Sequence, residues 1–142
     1  MTLIISTCKE KLHELEFVKP VLEIIRNTIT DKNVKVAVKH YKNLMEKDIN
    51  KSDKIIICGT SLKDNDFLRD IQKFQWIKSC KKPLLGICSG AHIIGLVLGY
   101  KLKRKSDIGL KDLDIEREFL GFLGKRQVYY LHNLQVLPET YH

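Results

Sequence analysis

The sequence predicts an α/β fold of three layers, flanking helices on a mostly parallel sheet with a short antiparallel extension. Two observations carry this. Short apolar runs alternate with longer stretches whose apolar residues recur at steps of three and four, the order that parallel strands joined by helical crossovers require. After Tyr100 the texture changes to short strand-like segments separated by turn material, which suggests hairpins on one edge of the sheet.

"LIIS" (Leu3–Ser6) is a short apolar run suited to a buried strand. "KLHELEFVKPVLEIIRNT" follows, and Leu15, Val18, Leu22, Ile25 and Ile29 give it an amphipathic helical stripe, with Pro20 at a first turn or a kink. "NVKVAVKH" alternates Val34, Val36 and Val38 with polar residues as a second strand, and "KIIICG" (Lys54–Gly59) is a third. "DNDFLRDIQKFQWIKSC" reads as a second helix, with Asp64, Asn65 and Asp66 as caps and Phe67, Ile71, Phe74 and Ile77 as its buried stripe. "PLLGIC" is the fourth strand. "SGAHIIGLVLG" is the third helix, closed by Gly99. No repeat or linker divides the chain, so residues 1–142 read as one domain.

Composition narrows the class. Four cysteines, Cys8, Cys58, Cys80 and Cys88, form no CxxC pair, and the N-terminus lacks a signal-peptide pattern, which points to free thiols in a reducing cytoplasm. Pro83–Tyr100 carries no formal charge, but its proline and four glycines split it into a strand-like half and a helical half, against a membrane span. The net charge of +8 is spread along the chain and interleaved with acids, as in "KDLDIERE". Only "KLKRK" (Lys101–Lys105) is dense. No aromatic residues alternate with it as a stacking platform for nucleic acid would need, so a solvated basic face is the expectation.

The chemistry centres on "LLGICSGAHIIG" (Leu84–Gly95). Cys88 ends a strand and precedes a helix, where open parallel sheets place their ligand sites. Gly86 and Gly90 flank it as a tight strand-to-helix elbow requires: Gly90 lets the turn pass under the strand, and Gly86 lets neighbouring backbone approach. In such an elbow the helix N-terminus favours thiolate, and the Ser89 N–H can donate to an oxyanion. Spacing alone leaves two readings open, a small core hydrophobe and a nucleophile.

"KPLLGICSGAHIIGLVLGYKL" (Lys82–Leu102) closely resembles the nucleophile segment of the triad-type, class I glutamine amidotransferases. "DKIIICGTS" (Asp53–Ser61) resembles their third strand and glycine-rich oxyanion loop, and "VYYLHNLQVLP" (Val128–Pro138) a later strand with its histidine, valine and Leu-Pro. The order of the motifs is most similar to the amidotransferase subunit of GMP synthase. The resemblance implies a flavodoxin-like fold and a glutaminase. Cys88 would be the nucleophile and the N–H groups of Ser89 and Thr60 the oxyanion hole. Gly59, Gly86 and Gly90 would shape the loops, and His92 and His132 would stand at the substrate-binding or loop positions. Glutamine would be hydrolysed through a thioester, and ammonia would pass to a synthetase partner. No cofactor and no metal are implied.

The chain departs from the pattern at three places. Thr60 replaces the second loop glycine, Ala91 and His92 stand where the family has a His-Gln pair, and no His-Pro-Glu or His-x-Glu segment occurs in the 142 residues. The expectation is therefore a truncated or degenerate triad, in a fragment of a longer product or a natural short form. The alternatives are a non-catalytic binding or interaction module, or a cysteine hydrolase of the related peptidase and chaperone superfamily using His92 or His132 as base.

Overall fold

The computed structural model describes residues 1–30 and 33–137. Pro138 of the last motif and His142 lie outside them. The chain divides into two compact units, Lys103–Gln135 and the remainder.

The larger unit is built on a four-stranded parallel sheet in the order β2-β1-β3-β4, with β1 at Thr2–Ser6, β2 at Val36–His40, β3 at Lys54–Ile57 and β4 at Leu84–Gly86. Leu3 is aligned with Ala37 on one side and Ile55 on the other, and Ile57 with Gly86. That order is the flavodoxin-like one, with β1 and β3 central. Alternate residues of these strands feed two cores. Leu3, Ile5, Ile55 and Ile57 pack with Phe67, Phe74, Ile93 and Val97 on one face. Ile4 and Cys58 pack with Val18, Leu22 and Ile25 on the other. This is why β1 and β3 read as continuous apolar runs: both faces are covered.

The first helical stretch is divided. A 3-10 turn (Lys11–His13) leads into α1 (Glu14–Phe17) and then α2 (Lys19–Thr28), with Pro20 in the first turn of α2. A proline there lacks only an N–H that has no intrahelical partner anyway. α3 (Glu46–Lys51) was not foreseen, being short and polar; its start is marked by the Met45 N–H donating to the Asp48 carboxylate at 3.0 Å. The expected second helix is only α4 (Asp66–Arg69), followed by a 3-10 stretch at Ile71–Ser79. Ile71, Phe74 and Ile77 are three apart, so a period of three residues per turn holds them on one face. α5 runs over Ser89–Val97, and Gly99 follows with φ +91°, the left-handed conformation of a helix stop. A Cβ at Gly95 would meet Val136 Cγ1 at 2.3 Å, so the glycine lets Val136 pack against α5. The uncharged stretch is thus strand plus helix, and among the described residues no helix is long and apolar enough to cross a membrane.

The antiparallel part is one long hairpin rather than several short pieces. β5 (Lys101–Phe119) and β6 (Phe122–Leu137) pair with each other in a two-stranded sheet of their own. Leu120 and Gly121 turn the chain with φ of +52° and +81°, the positive values a two-residue hairpin loop demands.

Candidate active site

Three strand ends converge at the carboxyl edge of the parallel sheet, on either side of the β1/β3 boundary where the strand order reverses. β1 contributes Ser6, Thr7 and Cys8, β3 contributes Cys58, Gly59 and Thr60, and β4 contributes Ile87 and Cys88.

Cys88 is the N-cap of α5 and has φ +52°, ψ −113°. A side chain bearing a Cβ rarely adopts such a backbone, which costs on the order of 1–3 kcal/mol and persists only where its surroundings impose it. The surroundings are two glycines and a sheet. A Cβ at Gly90 would stand 2.1 Å from the Ile57 carbonyl oxygen, so the helix start passes directly under the end of β3. A Cβ at Gly86 would meet the Gly90 carbonyl carbon at 2.5 Å. The Ile87 N–H donates to the Ile57 carbonyl at 2.9 Å, and the Gly90 N–H to the Ile87 carbonyl at 2.9 Å, closing the turn.

The Cys88 residue is exposed, but the protein around its sulfur disfavours the charged form. Burial pushes the thiol above its ordinary value, and the Ser89 N–H, hydrogen-bonded to it, pulls weakly the other way. The net direction is upward, because desolvation outweighs the one Ser89 donor.

Gly59 backs onto the nucleophile position. A Cβ there would lie 3.0 Å from Cys88 Cβ and 3.8 Å from its sulfur. Neither Gly59 nor Thr60 has a positive φ, so the loop needs glycine for room and tolerates a β-branched residue next to it. Thr60 is buried, and its hydroxyl donates to the Asp64 carboxylate at 2.9 Å. The same carboxylate oxygen accepts the Lys9 N–H, so Asp64 clasps the loop after β1 to the loop after β3. Thr7 completes the frame: its hydroxyl donates to the Cys58 carbonyl at 3.0 Å and lies 3.3 Å from the Ser89 hydroxyl.

The histidines are dispersed. His92 is half-buried on α5 one turn after Cys88, its N–H donating to the Cys88 carbonyl at 3.2 Å. His132 belongs to the hairpin unit, on β6, its ring 5.4 Å from that of Tyr130. His40 ends β2. Its Nδ1 accepts the Lys42 N–H, so the proton stands on Nε2, which donates to the Cys8 carbonyl at 2.9 Å. Sequence reasoning missed His40, Thr7 and the clasp at Asp64. The polar "STC" closing the first apolar run was the available signal for Thr7, whereas Asp64 reads as a helix cap until its partners are seen.

The family description Glutamine amidotransferase class-I matches residues 15–141. The chain belongs to the class I glutamine amidotransferases. Among solved structures it is similar to a GMP synthase subunit protein of Thermoplasma acidophilum, at 18% identity and TM-score 0.73 over 98% of this chain and 69% of that one. It is also similar to a glutamine amidotransferase of Thermotoga maritima, at 19% identity and TM-score 0.67 over 96% of this chain and 62% of that one. A third is a glutamine amidotransferase of Methylobacillus flagellatus, at 13% identity and TM-score 0.63 over 96% and 56% of the two chains. At these identities the likeness is one of fold, and this amidotransferase-family chain spans less than two thirds of the last two. No curated protein sequence matches it.

Proposed function

We propose that the Cys88 elbow performs the glutaminase half-reaction. The Cys88 thiolate attacks the side-chain amide carbon of glutamine, and the N–H groups of Ser89 and Thr60 receive the charge that develops on its oxygen. The C–N bond breaks, ammonia leaves carrying the proton that the Cys88 thiol gave up, and water then adds to the thioester carbonyl, releasing glutamate and returning the thiol. Gly59, Gly86 and Gly90 keep the loops close enough to do this, and His92, one helical turn after the nucleophile, serves substrate binding or the loop. Ammonia passes to a synthetase subunit in the cytoplasm, a compartment the four free cysteines support. The observation that carries the reading is the backbone of Cys88, φ +52° in a residue that is not glycine, held by glycine contacts on both sides.

One feature favours a second reading, a non-catalytic binding module: burial pushes the Cys88 thiol above its ordinary value. A diazoketone analogue of glutamine separates the two. The glutaminase reading expects one adduct per chain by mass spectrometry, located at Cys88 and absent in Cys88→Ser. Because the thiol is raised, the labelling rate should climb about tenfold per pH unit from neutrality without levelling below the ordinary thiol value. A chain that takes iodoacetamide at Cys88 but never the glutamine analogue is a binding module.

A further inference from the structure

Two charged segments that the site leaves unused lie on one strand. Lys103, Arg104 and Lys105 stand in the first half of β5, and Asp112, Asp114, Glu116 and Glu118 in the second, all exposed. Among the described residues β6 is the one strand paired with β5, so the other edge of β5 presents unpaired backbone donors and acceptors. The ion pair between Lys111 and Asp107 sets these two residues on one face of the hairpin. Strand alternation then puts Ile108 and Leu110 on the opposite face, where they are 62% and 60% exposed. Arg104, Asp112, Asp114 and Glu116 share that face by the same alternation.

We propose that β5 pairs antiparallel with β5 of a second copy of this chain, about a two-fold axis at Gly109. This inference does not depend on the glutaminase reading. The register sets Arg104 of each copy opposite Asp114 of the other, with Asp112 and Glu116 as diagonal neighbours. It also sets Ile108 opposite Leu110, gathering four exposed aliphatic side chains around the axis. Gly109 lies at the crossing, where the space a Cβ would occupy is open, and a residue without a side chain suits close backbone approach.

Charge complementarity selects this occupant. The strand is basic in one half and acidic in the other, so it complements itself only when run antiparallel; a parallel copy would set Lys103–Lys105 against themselves. A uniformly acidic or basic partner would satisfy one half and be repelled by the other. Within the described residues the ion pair of this strand joins Lys111 to Asp107, and Arg104 and Asp114 make none, so both remain available. A two-fold contact of this kind is closed, limiting assembly to the dimer.

The test is the mass of the full chain in solution by sedimentation equilibrium, with circular dichroism to confirm that each variant is folded. The wild type should form a reversible dimer that weakens as salt is raised. Arg104→Glu and Asp114→Arg each place two like-charge contacts in the homodimer and should raise the dissociation constant at least about tenfold. An equal mixture of the two folded variants should recover a heterodimer, because both of its cross-axis pairs are again of opposite charge. A wild type that stays monomeric at about 1 mM overturns the proposal. So does a dimer indifferent to both substitutions, or a mixture that remains dissociated.

Discussion

Cys88 combines a strained backbone with a nucleophile's address, and the strain can be measured apart from chemistry. At φ +52°, ψ −113° a Cβ is penalised and a bare glycine is not. Cys88→Gly should therefore be more stable than Cys88→Ala by about 1 kcal/mol in urea denaturation, the reverse of the order expected in ordinary extended or helical backbone. An alanine variant as stable as the glycine variant would mean that the elbow stores no strain. Asp64 makes a second residue-scale case. Replacing it by alanine leaves the buried Thr60 hydroxyl and the Lys9 N–H without their acceptor, which should cost about 1–3 kcal/mol. Asp64→Asn keeps a carbonyl oxygen for both donors and removes a buried charge, so it should lie within about 1 kcal/mol of wild type by the same measurement. The nucleophile position was legible in the sequence because glycine spacing and strand-helix order encode a turn. The clasp was not, since its partners are far apart in sequence and a carboxylate before a helix already has a local explanation.

Legibility at the level of elements follows what each element must bury. β1 and β3 announce themselves because strands covered on both faces leave apolar runs; of the two edge strands, β4 is a half-buried apolar run and β2 shows alternation, with Val38 38% exposed. The strands end sooner than the runs suggest: past Ile57 and Gly86 each keeps one further inter-strand bond, Cys58 N–H to the Ile5 carbonyl and Ile87 N–H to the Ile57 carbonyl, before the chain turns away to build the site. α3 was invisible because six residues, "EKDINK", carry one apolar side chain that packs against the core. It is held instead by its carbonyl end, where the Lys82 ammonium donates to the carbonyls of Ile49, Asn50 and Ser52 at 2.6, 2.8 and 2.6 Å. The hairpin was legible as strand but not as length. Glycines at 109 and 124 read as turns in sequence, yet their φ values of +120° and +75° are accommodated within continuous strands.

For the whole molecule, the two units differ in how their backbone hydrogen bonds are protected. β1 and β3 lie between other strands, and Leu3, Ile4, Ile5, Ile55, Ile57 and Cys58 are at most 1% exposed. Residues 103–135 form two strands with no third, and Ile108, Leu110, Phe119, Phe122, Tyr129 and Leu131 each show more than half of their surface. Two-stranded ribbons are marginal by themselves, because each ladder bond is screened from water by few buried side chains. Local opening should therefore expose hairpin amides at a fraction of the free energy that unfolds the sheet. In native-state hydrogen exchange at low protein concentration, the β1 and β3 amides should be the slowest to exchange. The cross-strand-bonded amides of β5 and β6 should exchange at least about a hundredfold faster, a gap of roughly 2.7 kcal/mol in opening free energy. Equal protection of both sets would show that the hairpin opens only with the sheet. The outcome bears on the site as well: protection at the ends of β1, β3 and β4 means that the Cys88 elbow is held by the most stable part of the molecule, which a strained nucleophile turn requires.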